Sequence, residues 1–226
     1  MAAESRASAE RAMRAEVIGC QRCLALAEGR TQVVFGSGSV DAQLMFVGEA
    51  PGATEDREGL PFIGASGKLL DQLLATIAMS RDDVYITNAL KCRPPDNRDP
   101  RKDEIANCSE YLRRQVDLVE PTVVVTLGNF ATKLLRGDET GITEVHGQPE
   151  PLMLGGLGVW LFPVFHPAAA LYRRPNLELL REDFAKLPEL IKAGRPGLPA
   201  ESPCAAPAEV EVADADVDER PQLDLF

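Results

Sequence analysis

No stretch of the 226 residues is apolar for long enough to cross a bilayer. Residues 1–16 are rich in Ala, Glu and Arg and lack the apolar segment of a signal peptide. The expectation is therefore a cytoplasmic chain. No internal repeat is visible. Positive charge is in short supply: 24 Lys and Arg stand against 35 Asp and Glu, for a net charge of -11. Such a balance gives no general attraction to nucleic acid. Histidine is scarcer still, with only His146 and His166 in the chain.

The acid is unevenly spread. From Ala193 to Phe226 there are eight acidic residues, opposed only by Arg195 and Arg220. That segment is rich in Gly, Pro and Ala and almost free of aromatics, the composition of a disordered acidic tail. Lys91 to Lys102, by contrast, holds Lys91, Arg93, Arg98, Arg101 and Lys102 against Asp96 and Asp99. A local basic patch can hold phosphate even on an acidic protein; a solvated loop of scattered charge is the alternative.

Before residue 193, short apolar runs alternate with helical patterns. Leu44–Val47, Val84–Thr87, Val123–Leu127 and Val159–Val164 read as buried strands. Ser66–Met79, Lys102–Val119, Asn129–Leu135 and Leu177–Ile191 read as helices; Leu69, Leu70, Leu73, Leu74 and Ile77 recur at helical spacing in the first. The alternation predicts an α/β fold with a mainly parallel sheet covered on both faces. Ligands in such sheets sit at the carboxyl ends of the strands.

The strand ends carry polar or conformationally special residues. Gly48-Glu49-Ala50-Pro51-Gly52 follows the first strand, with Glu49 at its end. Asn88 and then Lys91-Cys92-Arg93-Pro94-Pro95 follow the second. An Asn amide both donates and accepts, which suits the edge of a base; satisfying local backbone groups is the competing role. His166-Pro167-Ala168-Ala169 follows the fourth, and a structural role competes with a chemical one for His166. His146 lies in a Gly-rich loop and reads as structural. Phe62, between Pro61 and Gly64, is either a platform for a stacked base or a plug for the core.

Four of the five cysteines fall in the folded part: Cys20 and Cys23 in a C-x-x-C, then Cys92 and Cys108 with fifteen residues between them. In a cytoplasmic chain these suggest metal rather than disulfides. A zinc site and a 4Fe–4S cluster both fit four thiolates, and the wide second spacing leans toward the cluster. Cys204 lies in the tail and is not expected to be a ligand.

Taken in order, the first C-x-x-C, GEAPG, GLPFIGASG, TNALKCRPP, the second cysteine pair and HPAA resemble the family 4 uracil-DNA glycosylases, the iron–sulfur branch of the uracil-DNA glycosylase superfamily. The resemblance runs from about Glu16 to Ile191. It implies a three-layer α/β/α sandwich around a central four-stranded parallel sheet. Residues 1–15 would be an N-terminal extension, 16–192 the glycosylase domain and 193–226 the tail. It also implies a DNA-repair activity that excises uracil, with a structural 4Fe–4S cluster on Cys20, Cys23, Cys92 and Cys108. Glu49 and His166 would be catalytic, and Gly48, Ala50, Phe62 and Asn88 would hold the base. Related glycosylases of another family carry an Asp at the position of Ala50, so the acid here stands one place earlier, at Glu49. Lys91, Arg93 and Arg98 would contact DNA phosphates. The branch that becomes covalently trapped on DNA has a basic, His-containing insertion after the second strand; KCRPPDNRDP has no His, so turnover is expected. A non-catalytic or trapped uracil-DNA binding protein is the alternative.

The chain ends Gln222-Leu223-Asp224-Leu225-Phe226, which resembles the bacterial sliding-clamp binding motif. A short apolar motif on a long acidic tether suits peptide docking. The expected protein is a monomeric, nucleoid-associated enzyme.

Overall fold

The computed structural model describes residues 3–197. The expected acidic tail beyond them, Cys204 and the terminal QLDLF lie outside the described residues. The chain begins with α1 (Ala3–Ile18) and α2 (Leu24–Gly29), then β1 (Ser37–Gly38), β2 (Leu44–Gly48), α3 (Ala53–Glu58) and α4 (Ala65–Thr76). Next come β3 (Tyr85–Asn88), α5 (Lys102–Val119), β4 (Val123–Leu127), α6 (Asn129–Arg136) and α7 (Ile142–Val145). β5 (Glu150–Leu154), β6 (Leu157–Val164), α8 (Pro167–Tyr172) and α9 (Arg174–Ala193) complete it.

The sheet has six strands in the order β1-β3-β2-β4-β6-β5. Its central four, β3, β2, β4 and β6, are parallel, as the apolar runs predict. The two additions are antiparallel edges, β1 on β3 and β5 on β6. β5 is half-exposed and so lacks the apolar signature of a buried strand. It pairs because Gly155 and Gly156 both take positive φ (58° and 83°), which lets a two-residue turn return the chain onto β6.

Side-chain alternation sorts the strands into two cores. Leu44, Phe46, Ile86, Val123, Val125, Phe162 and Val164 face α4, α8 and α9, where they meet Leu70, Leu73, Leu74, Leu180 and Phe184. Met45, Val47, Tyr85, Val124 and Leu161 face α5 and meet Leu112, Val116 and Val119. This is the expected helix–sheet–helix sandwich. α1 lies outside α5, burying Met13 and Val17 against Phe35, Tyr111 and Leu118. It crosses residue 15 without interruption, and Arg6 ties it to Asp41 and Glu120.

Two boundaries differ from the sequence pattern by three residues. α4 stops at Thr76 rather than Met79, because Ile77 leaves helical geometry and Ala78 takes φ 56°. α9 starts at Arg174, three residues before the apolar pattern begins, with Pro175 in its first turn. α5 matches its predicted span, and the Glu104 carboxylate closes its first turn by accepting from Arg101 N at 2.8 Å.

Candidate base pocket and thiol cavity

Gly48 ends β2, and Asn88 ends β3 directly beside it in register. A Cβ on Gly48 would lie 2.4 Å from Asn88 Oδ1 and 2.6 Å from Phe62 Cζ. Glycine is thus the residue that lets the amide and the ring close over the strand ends. Asn88 is 2% exposed, and its Oδ1 has no hydrogen-bond partner among the described residues. An acceptor in that state is costly unless something supplies a donor.

His166 faces the same point. Its ring centroid lies 5.6 Å from that of Phe62, tilted by 32°. The ring caps α8: Nδ1 accepts from Ala168 N at 3.1 Å. That bond leaves the proton of the neutral ring on Nε2, the nitrogen free to donate outward. Burial pulls the His166 pKa down to about 4, against a smaller opposing pull from Glu55, so the imidazole is neutral at pH 7.

Phe62 takes φ 52°, unusual for a bulky residue, and several groups hold it there. The Glu55 carboxylate accepts from Ile63 N (3.1 Å) and Gly64 N (2.9 Å). The Arg81 guanidinium donates to the carbonyls of Pro61 and Phe62 and pairs with Asp71. Gly67 backs the loop so closely that a Cβ there would meet Phe62 O. Phe62 is also part of the apolar core, as the plug reading expects. Glu49 stands apart, on the wall of a neighbouring cleft of about 690 Å³ with Asp99, Asn129, Phe130 and Lys133. Half-burial, and then Asp99, hold its carboxyl above the usual carboxylate range.

Cys20, Cys23, Cys92 and Cys108 are free thiols that line one cavity with Leu26, Leu90 and Tyr111. They come from the α1–α2 turn, the loop after β3 and the second turn of α5. The cavity walls supply N–H donors to sulfur: Arg30 to Cys92 (3.2 Å), Asn107 to Cys23 (3.5 Å) and the Lys91 amide to Cys108. Burial pushes the Cys92 thiol up to about 11 and raises Cys23 and Cys108 as well. Thiols so placed ionise readily only when a metal binds them. Among the described residues, no three His, Cys, Asp or Glu side chains converge where a single ion would sit. The donor set, four sulfurs ringed by N–H groups, fits an iron–sulfur cluster, in which each iron takes one thiolate.

Residues 35–188 match the family model of the uracil-DNA glycosylase superfamily. The chain belongs to that superfamily, in its type-4 branch. It is 50% identical over 181 residues to a type-4 uracil-DNA glycosylase of Sulfurisphaera tokodaii, covering 77% of this chain and 81% of the relative. It is 45% identical over 183 residues to one of Saccharolobus solfataricus (79% and 84%). A third, from Archaeoglobus fulgidus, is 43% identical over 187 residues (81% and 94%).

In this glycosylase the basic loop departs from expectation. Lys91 cannot reach a phosphate: it is 1% exposed, and its ammonium donates to Thr87 Oγ1 (2.8 Å) and Asn88 O (2.6 Å). Burial draws its pKa down to about 8, opposed by Cys108 and Cys92. Arg98 directs both guanidinium nitrogens at the Glu104 carboxylate. Arg93 is partly exposed and donates to Asn97 Oδ1 at 2.7 Å, while Arg101 and Lys102 are exposed at the start of α5. The glycosylase's other histidine, His146, bonds Asp183 Oδ2 at 2.9 Å and packs on Phe165, the structural role its position predicts.

Sequence reasoning missed Glu55 and Arg81 as supports of Phe62, and Gln115, which bonds Thr87 Oγ1 and Tyr85 Oη, as a support of the strand that ends in Asn88. Glu55 carried a signal, an acid just after GEAPG; Arg81 carried none, because it lies nineteen positions beyond Phe62. No helix among the described residues is long and apolar enough to cross a membrane.

Proposed function

We propose that the protein is a DNA-repair enzyme that takes a uracil nucleotide flipped out of DNA and hydrolyses the bond between base and sugar, leaving an abasic site. The observation that carries this reading is the unpaired, buried Asn88 Oδ1 beside Gly48, Phe62 and a neutral His166. Flipping costs a few kcal/mol and is easiest at a mispair. Phe62 stacks on the extruded base. Asn88 Oδ1 accepts from uracil N3–H, and Asn88 Nδ2 donates to O4. Cytosine reverses both partners, and a buried polar group left unpaired costs roughly 1–3 kcal/mol. Thymine is excluded at its 5-methyl by the GEAPG turn, with Ala50 at its centre.

Cleavage leaves an oxocarbenium-like sugar and a uracil anion. His166 Nε2–H donates to O2 as negative charge grows there, a preorganised donor that needs no proton transfer of its own. Glu49, on the wall of the adjoining cleft, orients the attacking water or stabilises the cationic sugar. Cys20, Cys23, Cys92 and Cys108 hold a 4Fe–4S cluster, which when bound supplies a cross-link between the α1–α2 turn and the loop after β3. Arg93, with Arg101 and Lys102, meets the DNA backbone.

Gln222–Phe226 docks on the bacterial sliding clamp. Support comes from the sequence alone: Gln222 for the pocket rim, Leu225 and Phe226 for its apolar floor. Deleting the five residues should abolish clamp capture in a pull-down and leave base release unchanged.

Release of uracil from a labelled oligonucleotide with a single U tests the reading, with His166→Ala and Asn88→Ala as controls. Alkali-labile strand breakage, lost or strongly reduced in both variants, is the expected result. Iron-loaded protein that binds the DNA without releasing base would overturn it in favour of an adaptor or a trapped complex.

A further inference from the structure

Lys91 is the one Lys or Arg among the described residues that is fully buried, and the partners of its ammonium, Thr87 Oγ1 and Asn88 O, are both neutral. Thr87 in turn donates to Phe35 O at 3.0 Å and meets Gln115, which also holds Phe35 O and Tyr85. This network supplies hydrogen bonds but no negative charge. Glu104 lines the thiol cavity too, but its carboxylate is engaged by Arg98 and by Arg101 N. A buried cation without a counter-charge is expensive. The groups that can compensate it are the sulfurs of the cavity that Lys91 itself lines with Cys20, Cys23, Cys92 and Cys108; Cys92 is its chain neighbour, and Cys108 accepts from its backbone N–H.

The same side chain touches the base pocket. Its ammonium holds the carbonyl of Asn88, whose side-chain Oδ1 has no partner among the described residues and lies beside Gly48. We propose that Lys91 is a positioning residue joining the two halves of the site: its ammonium is the internal counter-charge of the thiolate cavity and, through the Asn88 carbonyl, fixes the side chain that reads the base. The inference rests on the roles proposed above for the four cysteines and Asn88.

The test compares iron-loaded wild type with Lys91→Met, which keeps the length and removes the charge and its donors. Iron content, reduction potential and kcat/KM for single-U DNA are read on the same preparations. The expected result is normal iron content, a potential shifted to more negative values because an added electron loses a nearby cation, and a kcat/KM lower by roughly tenfold or more, the usual scale for losing a buried charged hydrogen bond. An unchanged potential in iron-replete Lys91→Met overturns the counter-charge. A shifted potential with wild-type kcat/KM overturns the link to Asn88. If Lys91→Met takes up no iron, Thr87→Val decides: it keeps the cation and removes an acceptor. A reduced kcat/KM at wild-type iron content supports the proposal, and wild-type kcat/KM overturns it. Absence of base release from wild type would sink the glycosylase reading, while the potential would still test the counter-charge.

Discussion

Gly48→Ala puts a methyl 2.4 Å from Asn88 Oδ1 and 2.6 Å from Phe62 Cζ. Ordinary contact begins near 3.4 Å, so each group must retreat by roughly 1 Å. Neither retreats freely. Asn88 is 2% exposed and Phe62 is 5% exposed. The Phe62 backbone is held by Glu55 on one side and Arg81 on the other. Overpacking of this kind costs about 1–3 kcal/mol, a fall of several degrees in Tm for a domain of this size. The functional loss should be larger, because a misplacement of about 1 Å at a reacting site can cost roughly 100-fold. Base release from single-U DNA should therefore drop by about two orders of magnitude in kcat/KM at a temperature where circular dichroism still reports a native fold. A folded Gly48→Ala protein with wild-type kcat/KM would refute the claim that this glycine exists to let Asn88 and Phe62 close over the strand ends.

Asp99 contributes to holding the Glu49 carboxyl above its usual range, after burial. Asp99→Asn should move the acid limb of the kcat/KM profile to lower pH, and a move to higher pH would contradict the assignment. His166, with its pKa drawn down to about 4 by burial, should remain neutral and protonated on Nε2 in NMR spectra well below pH 6. The unfolded chain takes up that proton near 6.5, the ordinary value for a histidine. The associated stability is complete above that pH and declines as pH falls toward about 4, so His166→Gln should flatten this part of a urea-unfolding profile. Arg81→Met removes the donors to the Pro61 and Phe62 carbonyls; KM should rise by roughly tenfold, with partial rescue by Arg81→Lys, and an unchanged KM would count against the loop's role.

Local pattern was enough for the frame of this protein. Val123–Leu127 and Lys102–Val119 have the observed bounds because an apolar run and a 3.6-residue spacing are properties of neighbouring residues. The rule that ligands gather at the carboxyl ends of parallel strands also makes Gly48, Asn88 and His166 legible as candidates from the sequence alone. β5 was invisible because its stability comes from pairing with β6 across a glycine turn, not from burial of its own side chains. The N-terminal helix was missed for a related reason: Met13 and Val17 gain their burial only when α5 and Phe35 are beneath them.

Charge was the least legible property. Lys91, Arg93 and Arg98 look alike in the sequence, a basic stretch suited to phosphate. The fold buries the first under Asn88, leaves the second partly exposed and pairs the third with Glu104. Residue type sets what a side chain can donate or accept, and short-range periodicity sets which helix or strand carries it. Whether a cation meets water, a carboxylate or a buried carbonyl depends on which distant segments pack around it, so only the tertiary structure could decide that the Lys91 ammonium lies in the protein interior rather than at its surface.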